Sequence, residues 1–338
     1  MQSTVSAQAP AVRSFELPFV VRFFQIFESL GVLMMLGLVI LVASVIAPGF
    51  FTATNLTNLV ITASITAVTG FGMTIAIAMG GFDLSVGSVQ ALTAIIAAFL
   101  LPLAGIPGAV IGTLVSGLMV GIINGMLISK LRVPAFVATL GMMSVARGVA
   151  LLVTDGQSLL IVGYTDYAWL NNGRILGIPV PLLIALLTLV ACYVLLQQTP
   201  FGRHVCAVGG NVQAAIASGI NVDRVTILTF GVVGVTAALS GVMLSAKLLM
   251  VNGTLGVGFE LQAIAISVLG GTSLTGGSGN LPGTFVAALL LAAISSALNI
   301  LKVPPIYQYM ALGSLLIFAL VLDTLRRQIV TSVAMRGR

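Results

Sequence analysis

Residues 199–224 read TPFGRHVCAVGGNVQAAIASGINVDR and form the longest polar interruption between the apolar stretches of this chain. Asn211 is a residue type that caps the start of a helix, and Gly219 suits the left-handed conformation that ends one. Val212 to Ser218 fill about two turns between them. A helix this short is marginal alone in water, so another surface must hold it. We predict a docking helix between membrane spans, which indicates a membrane subunit driven by a soluble partner.

The composition excludes a soluble domain. Of the 338 residues, 59% are hydrophobic and only 7% are charged, whereas a soluble domain carries about a quarter charged residues. We therefore expect an all-α polytopic membrane protein embedded in a lipid bilayer. The net charge of +6 does not indicate nucleic acid, because the basic residues flank the apolar spans. Cys192 and Cys206 have neither a pairing pattern nor a metal-type cluster around them, so no disulfide framework and no metal site are predicted.

About ten membrane spans are predicted from stretches near the length that crosses a bilayer. They lie at 30–47, 56–79, 85–103, 107–129, 134–154, 179–198, 226–249, 260–275, 282–300 and 306–323. The eighth span is short, and the sequence leaves open whether it crosses fully. The chain thus divides into a tail, 1–29, a single transmembrane domain, 30–325, and a second tail, 326–338.

Charge predicts the orientation of these spans, because basic residues concentrate on the cytoplasmic side. With ten spans and a cytoplasmic N-terminus, ten of the 14 basic residues fall inside: Arg13, Arg22, Lys130, Arg132, Arg203, Arg224, Arg326, Arg327, Arg336 and Arg338. The other four, Arg147, Arg174, Lys247 and Lys302, fall outside or near the outer end. Both termini and the 199–224 segment are therefore expected in the cytoplasm.

A short internal repeat links two glycine-rich stretches, 80–88 (GGFDLSVGS) and 270–278 (GGTSLTGGS). Five of nine positions are identical, and a sixth exchanges Ser for Thr. Paired breaks of this kind occur in the discontinuous helices of transporters, although glycine-rich stretches also match by chance.

Two charged residues inside the apolar region each have two interpretations. A carboxylate near the bilayer centre costs about 2.5–3.5 kcal/mol, so Asp83 either lies beside a polar path or caps the helix that follows it. Arg147 either has a role at the outer end, where it would pair with Asp155 or line the mouth of a path, or it only snorkels to the interface.

Gly117, Gly121 and Gly125 form two overlapping GxxxG steps beside Asn124. Close helix packing with an interhelical amide hydrogen bond explains all four, and contact between Asn124 and a sugar is the alternative. Asn299 has the same two interpretations.

No catalytic constellation is predicted. His204 is the only histidine and sits beside Arg203 in the polar segment, as a surface residue would. The chain also lacks the GxxxxGK[ST] pattern of a phosphate-binding loop, so it does not bind ATP in that way.

Several ordered motifs resemble the permease subunits of ribose/xylose/arabinose-type ABC sugar importers, in the branched-chain amino acid/ribose permease superfamily. Their cytoplasmic coupling region is similar to Gly202-Arg203, Ala207-x-Gly209-x-Asn211, Ala214-Ala215 and Ser218-Gly219-Ile220. The stretch 80–88 resembles the family signature, in which Ile is commoner than Phe82. Also similar are Gly121-x-x-Asn124-Gly125, the stretch 130–141 and Gly270-Gly271-x-Ser273-x-x-Gly276-Gly277. The resemblance covers about residues 30–325.

The resemblance implies a permease of the bacterial inner membrane with broken helices and a vitamin-B12-importer-like (type II ABC importer) fold. Its partners would be P-loop ATPase subunits, which bind ATP and Mg, a second permease chain and a periplasmic sugar-binding protein; the chain itself would hold no cofactor. The ATPase-coupling residues would be Gly202, Arg203, Gly209, Asn211, Ala214, Ala215, Ser218 and Gly219, with the small residues Ala214, Ala215 and Ser218 forming the docking face.

For the translocation path we predict short polar groups at Asp83, Ser85, Asn124, Ser273, Thr275 and Asn299. The sequence does not identify the sugar, assign its contacts, or say whether the two permease chains are identical. An ion-coupled secondary transporter or a channel for a small polar solute remains the alternative function.

Overall fold

The computed structural model describes residues 19–304 and, beyond them, residues 306–308, 310, 313, 314, 317 and 321. Residues 1–18 of the predicted N-terminal tail, the predicted tail 326–338 and most of the tenth predicted span, 306–323, lie outside the described residues.

The described part of the chain is mostly helical. Its helices are α1 Phe19–Ile46, α2 Ala53–Ala78, α3 Val86–Ser129, α4 Ala135–Val153, α5 Thr165–Asn172, α6 Val180–Tyr193, α7 Pro200–Gly210, α8 Val212–Ala217, α9 Val222–Leu248, α10 Phe259–Leu269 and α11 Leu281–Ile300. A π-helical turn, Val194–Gln198, extends α6. Two antiparallel pairs of short strands lie in the loops: β1 Leu159–Leu160 with β4 Met250–Val251, and β2 Arg174–Ile175 with β3 Ile178–Pro179.

Six of the described helices are long and apolar enough to cross a membrane: Ala53–Ala78, Val86–Ser129, Ala135–Val153, Val180–Gln198, Val222–Leu248 and Leu281–Ile300. This supports the predicted polytopic membrane protein. Helix α1 starts at Phe19, before the predicted start of the first span at residue 30.

Helix α3 is a hairpin rather than one straight rod. Gly105 has φ 64° and ψ −174°, which are not helical angles, and divides α3 into α3a, 86–104, and α3b, 106–129. A continuous helix would place residues 85 and 124 about 58 Å apart. Instead, Asn124 Nδ2 lies 3.0 Å from Ser85 Oγ. The two halves correspond to the predicted spans 85–103 and 107–129.

Helix α2 is the centre of the bundle. Every residue from Ala63 to Ala78 is buried, as expected for a helix that is apolar all round. Its neighbour α9 runs antiparallel to it: Lys247 Nζ donates to Thr62 Oγ1 at 2.8 Å, and Ser240 Oγ donates to the Ile65 carbonyl at 2.9 Å.

The three glycines of the GxxxG steps allow α3b to pack directly on the α9 backbone. A methyl group on Gly125 would lie 2.6 Å from Ile227 Cα, and Gly117 and Gly121 meet the backbone of Gly234 and Phe230. These contacts confirm the packing interpretation of the glycines.

Helix α10 is too short to cross a bilayer. Its 11 residues span about 16 Å, whereas the hydrocarbon core is about 30 Å thick. Ser267 in this helix bonds to Thr74 Oγ1 at 3.1 Å, and Thr74 in turn bonds to Thr284 Oγ1 at 2.7 Å, so α10 is joined to α2 and α11.

The described basic residues separate toward the two ends of the bundle, as the sequence predicts. Lys130 forms an ion pair with Asp223 at the start of α9, at 2.8 Å. At the opposite end, Lys247 occupies the last turn of α9, and Arg174 bonds to Thr57 near the start of α2.

Candidate coupling and translocation site

The polar segment folds into two consecutive helices, α7 and α8, that extend from the end of the bundle where α9 starts. Thr199 caps α7, because its side chain accepts a hydrogen bond from the Gly202 amide at 3.3 Å. Pro200 takes the first helical position, where its missing N–H costs nothing. Gly202 allows α7 to pack closely on the backbone of Leu196. Any side chain there would clash, because a methyl group on Gly202 would lie 2.5 Å from Leu196 Cα.

The short helix predicted after Asn211 is present as α8, Val212–Ala217. Asn211 Oδ1 accepts from the Ala214 amide at 3.0 Å, which is the expected N-cap bond. Gly219 has φ 79°, and the Gly219 and Ile220 amides donate to the Ile216 and Ala215 carbonyls. These two bonds form a Schellman motif, which ends α8 one residue earlier than predicted, at Ala217.

The exposed face of α8 differs from the one predicted. Ala215 is only 3% exposed and packs against its own chain, so it is not available to a partner. Ala214 and Ser218 are exposed, as are the larger side chains of Val212 (44%) and Ile216 (52%). Ala215 is the one residue of α8 that points toward the rest of the chain, and Ala214 is turned about 100° away from it around the helix axis.

Arg203 and His204 are exposed on α7, consistent with surface positions. Nearby, Cys206 is half-buried, and this burial raises the pKa of its thiol.

Gly209 joins α7 to the two glycine-rich stretches 80–88 and 270–278, called here the first and the second break. A methyl group on Gly209 would lie 2.6 Å from the Gly277 amide nitrogen and closer still to the Ala78 carbonyl oxygen. The Gly277 amide also donates to that carbonyl at 2.8 Å. On the other break, a methyl group on Gly80 would lie 3.9 Å from Gly209 Cα. The end of α7 therefore contacts the start of the first break, at Ala78 and Gly80, and Gly277 in the second break.

The two breaks share their backbone geometry at the end of the preceding helix. Gly80 has φ 88°, and the amides of residues 80 and 81 donate to the carbonyls of 77 and 76. Gly271 has φ 92°, and the amides of residues 271 and 272 donate to the carbonyls of 268 and 267. Both are Schellman motifs, displaced by one position relative to the sequence alignment. Helices commonly end in this way, and α8 does so too, so the repeat remains a prediction from the sequence.

Asp83, Ser85 and Asn124 form one buried hydrogen-bonded cluster. Asp83 is 2% exposed, and its Oδ1 accepts from the Ser85 amide at 2.8 Å and from Ser85 Oγ at 2.5 Å. Asn124 Nδ2 donates to Ser85 Oγ at 3.0 Å and lies 3.4 Å from Asp83 Oδ2. Asp83 thus accepts from the amide of Ser85, but Ser85 itself is the N-cap of α3, so the helix begins two residues later than capping by Asp83 would place it. Asn124 Oδ1 is buried and has no hydrogen-bond partner in the part of the chain that the structure describes.

The cluster lies inside the bundle rather than at its surface. Gly121 and Gly125, which flank Asn124, pack on α9 at Phe230 and Ile227. At 1.5 Å per residue, these positions are about 8–12 Å along α9 from its start. A carboxylate at this depth must be hydrogen-bonded, and Asp83 is.

The other predicted path residues lie elsewhere. Ser273 and Thr275 are in the second break, where their hydroxyls are 3.1 Å apart. Asn299 is at the far end of α11, where it accepts a hydrogen bond from Gln308 at 2.8 Å. Since Gly283 at the start of α11 meets Gly270, Asn299 lies about 24 Å from the breaks along that helix.

Arg147 ties α4 to the loop between α9 and α10. Its guanidinium donates to the Gly253 and Leu255 carbonyls, at 2.8 and 2.6 Å, rather than pairing with Asp155. The bonds give Arg147 a structural role at this position.

Sequence reasoning missed Gln90. This residue is fully buried, and its Nε2 donates to Ser240 Oγ at 2.7 Å, while its Oε1 has no partner among the described residues. An amide inside the predicted span 85–103 was the available signal. Within the described residues, no group of three or more His, Cys, Asp or Glu side chains could hold a metal ion.

Comparisons with known proteins agree with this arrangement. Residues 55–320 match the family described as branched-chain amino acid transport system / permease component. Ribose import permease protein RbsC of Escherichia coli K12 is 38% identical over 296 residues, which cover 86% of this chain and 92% of that protein. RbsC of Bacillus subtilis 168 is 38% identical over 90% of this chain and 95% of its own length. D-allose transport system permease protein AlsC of E. coli K12 is 34% identical, over 88% and 92% respectively.

No solved structure matches the chain significantly. The family match and these relatives confirm the resemblance drawn from the sequence motifs. The chain is a transport permease, and it belongs to the branched-chain amino acid transport system / permease component family.

Proposed function

We propose that this chain is the transmembrane subunit of an ATP-driven importer that translocates a monosaccharide delivered by a periplasmic binding protein. The observation that carries the proposal is the contact of Gly209, at the end of the exposed α7–α8 unit, with Ala78 and Gly277 at the two breaks. A force applied to this unit reaches both breaks through backbone atoms. Relatives named as ribose and allose permeases support a monosaccharide as the cargo.

In this mechanism a partner P-loop ATPase binds ATP and Mg, and α8 docks against it. Val212 and Ile216 offer the ATPase an exposed apolar surface, and Arg203 lies nearby on α7. Closure of the ATPase dimer would move α7–α8 as a rigid unit and reorient the helices joined to it, which is alternating access by coupled rigid bodies.

The translocation path would pass the buried polar groups beside the first break. Sugar hydroxyls donate hydrogen bonds, and the Asn124 Oδ1 and Gln90 Oε1 acceptors have no partner among the described residues. A small number of short polar side chains suits a translocation path, because an importer must not bind the sugar tightly and has to release it. Ser273 and Thr275 would act at the second break, whereas Asn299, at the far end of α11, would have no part in this stretch of the path.

For the complete protein we propose ten spans, a vitamin-B12-importer-like fold, a paired second permease chain, and both termini on the cytoplasmic side of the bacterial inner membrane. The grouping of Lys130 and Arg224 at the α7–α8 end and of Arg174 and Lys247 at the other supports this orientation. Tags on the 199–224 segment and on the 155–178 loop, probed with impermeant reagents, test it.

The deciding experiment is gentle solubilisation of a tagged chain from native membranes, followed by mass spectrometry and transport in proteoliposomes. A near-stoichiometric P-loop ATPase, and uptake of D-ribose or another pentose that requires ATP, are expected. Uptake that stops with a proton uncoupler while ATP is preserved would instead indicate an ion-coupled transporter, and uptake without either would indicate a channel.

A further inference from the structure

The loop between α9 and α10, residues 252–258, packs on the first turn of α3 through a pair of glycines. A methyl group on Gly256 would lie 2.6 Å from the Gly87 carbonyl oxygen, and one on Gly87 would come closer still to the Gly256 carbonyl oxygen. Each carbonyl therefore occupies the place where a side chain on the other glycine would begin. We call this contact, between residues 87–90 and 256–260, the α3–loop interface.

The α3–loop interface lies well inside the bundle. Gln90, on the α3 side, donates to Ser240 Oγ at 2.7 Å, and Ser240 Oγ donates to the Ile65 carbonyl at 2.9 Å. Ser240 is eight residues from the end of α9, and Ile65 is twelve residues from the start of α2. At 1.5 Å per residue, the interface is about 12–18 Å from the end of the bundle opposite α7–α8.

Irregular backbone at this depth has to be covered by protein or to line a water-filled space, because lipid cannot satisfy its polar groups. The described chain leaves part of the loop uncovered. Val257, next to the interface, is 57% exposed, and Leu261 in the first turn of α10 is 53% exposed. Thr254 is exposed as well. The open side of the loop therefore suits a water-filled space and not lipid.

On its other side, the loop is bonded to α4 and to the segment that follows α4. Arg147 donates to the Gly253 and Leu255 carbonyls, and β4 pairs with β1. A methyl group on Gly253 would lie 2.9 Å from the Leu151 amide nitrogen, so the two backbones are in contact. The loop and the end of α4 thus form one unit.

Across the α3–loop interface, by contrast, acceptors meet without a donor. Glu260 Oε2 contacts Gly87, since a methyl group on Gly87 would be 2.5 Å from it, and Gln90 Oε1 contacts Gly256 in the same way. Both oxygens are buried and have no hydrogen-bond partner among the described residues. A buried acceptor without a partner costs free energy, which is recovered when water reaches it. The loop is therefore held more weakly on the α3 side than on the α4 side.

Helix α10 joins this interface to the coupling helices. Glu260 is in its first turn, and its other end leads into the second break, where Gly277 contacts Gly209 of α7. Gly258 (φ 79°) and Gly271 (φ 92°) turn the chain at the two ends of α10. Movement of α7 can therefore reach the interface through one rigid helix of 11 residues.

We propose that the α3–loop interface is a gate of the translocation path, closed in this structure, which opens when α4 and the loop move together away from α3. The inference rests on the proposed function. Opening exposes Gln90 and Glu260, whose oxygens then accept hydrogen bonds from water and from the hydroxyls of the passing solute. Arg147 is a positioning residue, because it keeps the loop on α4 while the interface parts. The gate lies at the end away from α7–α8, where the solute would enter.

Cysteine accessibility in the assembled transporter tests the gate. Both native cysteines are first replaced, by Cys192→Ala and Cys206→Ala, and the permease is reconstituted in proteoliposomes with its ATPase and binding protein. A membrane-impermeant thiol reagent is added on the side of the binding protein. We expect the labelling rates of Gln90→Cys and Glu260→Cys to differ at least tenfold between the nucleotide-free and the vanadate-trapped states. Equal and slow labelling in both states would overturn the gate.

Thr93→Cys is the matched control on the same helix. Thr93 is fully buried about one turn beyond Gln90, and it packs on Gly241 of α9 rather than on the loop. It should stay unlabelled in both states. Labelling of Thr93→Cys as fast as Gln90→Cys would show that α3 loosens as a whole, and would overturn a gate confined to the interface.

Two substitutions test the mechanism of opening. Gly87→Ala places a methyl group against the Gly256 carbonyl and should make labelling of Gln90→Cys fast without nucleotide. Arg147→Gln should reduce the difference in labelling between the two states, and Arg147→Lys, which still donates, should restore part of it. An unchanged difference in Arg147→Gln would overturn the positioning role.

Two further outcomes separate this inference from its basis. Disulfide dimers of Val257→Cys that form in both states would show that a second permease chain covers the loop, and would overturn its place in the path. ATP hydrolysis stimulated by the binding protein is measured on the same vesicles. Its absence would overturn the proposed function together with the gate, whereas normal hydrolysis with constant labelling would overturn the gate alone.

Discussion

Gly209 and Gly277 meet backbone to backbone, at a distance where a methyl group on Gly209 would lie 2.6 Å from the Gly277 amide nitrogen. A methyl group on Gly210, the next residue, would have no neighbouring atom within 4 Å. The two adjacent glycines therefore form a matched pair for mutagenesis. Only at Gly209 does contact with the second break leave no room for a side chain.

We predict that Gly209→Ala lowers uptake at least tenfold, because the new methyl group forces α7 away from Ala78 and Gly277. Gly210→Ala should leave uptake near normal, since alanine also favours the helix. Uptake in proteoliposomes, normalised to the amount of inserted protein, checks the pair. Equal effects of the two substitutions would contradict the transmission of force through Gly209.

The outward face of α8 should carry the contact with the ATPase. We expect Ile216→Ser to weaken binding of the partner ATPase by about 1–2 kcal/mol, roughly tenfold in Kd, because it removes apolar area that docking would bury. Gln213→Ser is a control on the same helix without a large apolar side chain. Affinity of the purified ATPase for nanodisc-embedded permease is the measurement, and an unchanged Kd for Ile216→Ser would place the docking surface elsewhere.

Ala215 should behave differently from Ile216, since it is buried within its own chain. Ala215→Leu overfills this site and should cost about 1–3 kcal/mol of stability. The expected result is a lower thermal unfolding temperature of the permease alone, which Ile216→Ser should leave unchanged. A normal unfolding temperature for Ala215→Leu would mean that α8 can turn this side toward a partner.

Asp83 allows the structural and transport roles to be separated. Asp83→Asn keeps an oxygen that can accept from the Ser85 amide, so folding should be preserved while uptake falls. Asp83→Ala loses the acceptor as well and should cost about 1 kcal/mol of stability. Thermal unfolding and uptake measured on both variants distinguish the roles. Normal uptake by Asp83→Asn would limit this carboxylate to a structural role.

The sequence predicts the elements of this molecule better than their contacts. Asn211, Gly219 and the glycine steps act through local backbone chemistry, so the ends of α8 and the packing of α3b can be inferred from residue types. The outward face of α8 depends on which side meets the rest of the chain. The predicted grouping of Asn299 with Asp83 failed to appear for the same reason: both are polar residues near apolar spans, but only three-dimensional packing decides which end of the bundle each one reaches.

Gly105 gives a prediction in which the sign of the effect tests the fold. Inside a continuous helix, Gly→Ala stabilises a protein by up to about 1 kcal/mol. At φ 64° and ψ −174°, however, a side chain is strained, and Gly105→Ala should instead cost about 1–3 kcal/mol. Crowding is not the cause, because the nearest atom to the new methyl group, Pro107 Cδ, would be 3.9 Å away. Gly148→Ala, in the middle of α4 with open space around it, is the control that should stabilise. Thermal unfolding of both variants in the same detergent checks the pair, and stabilisation by Gly105→Ala would show that residues 86–129 form one helix rather than a hairpin.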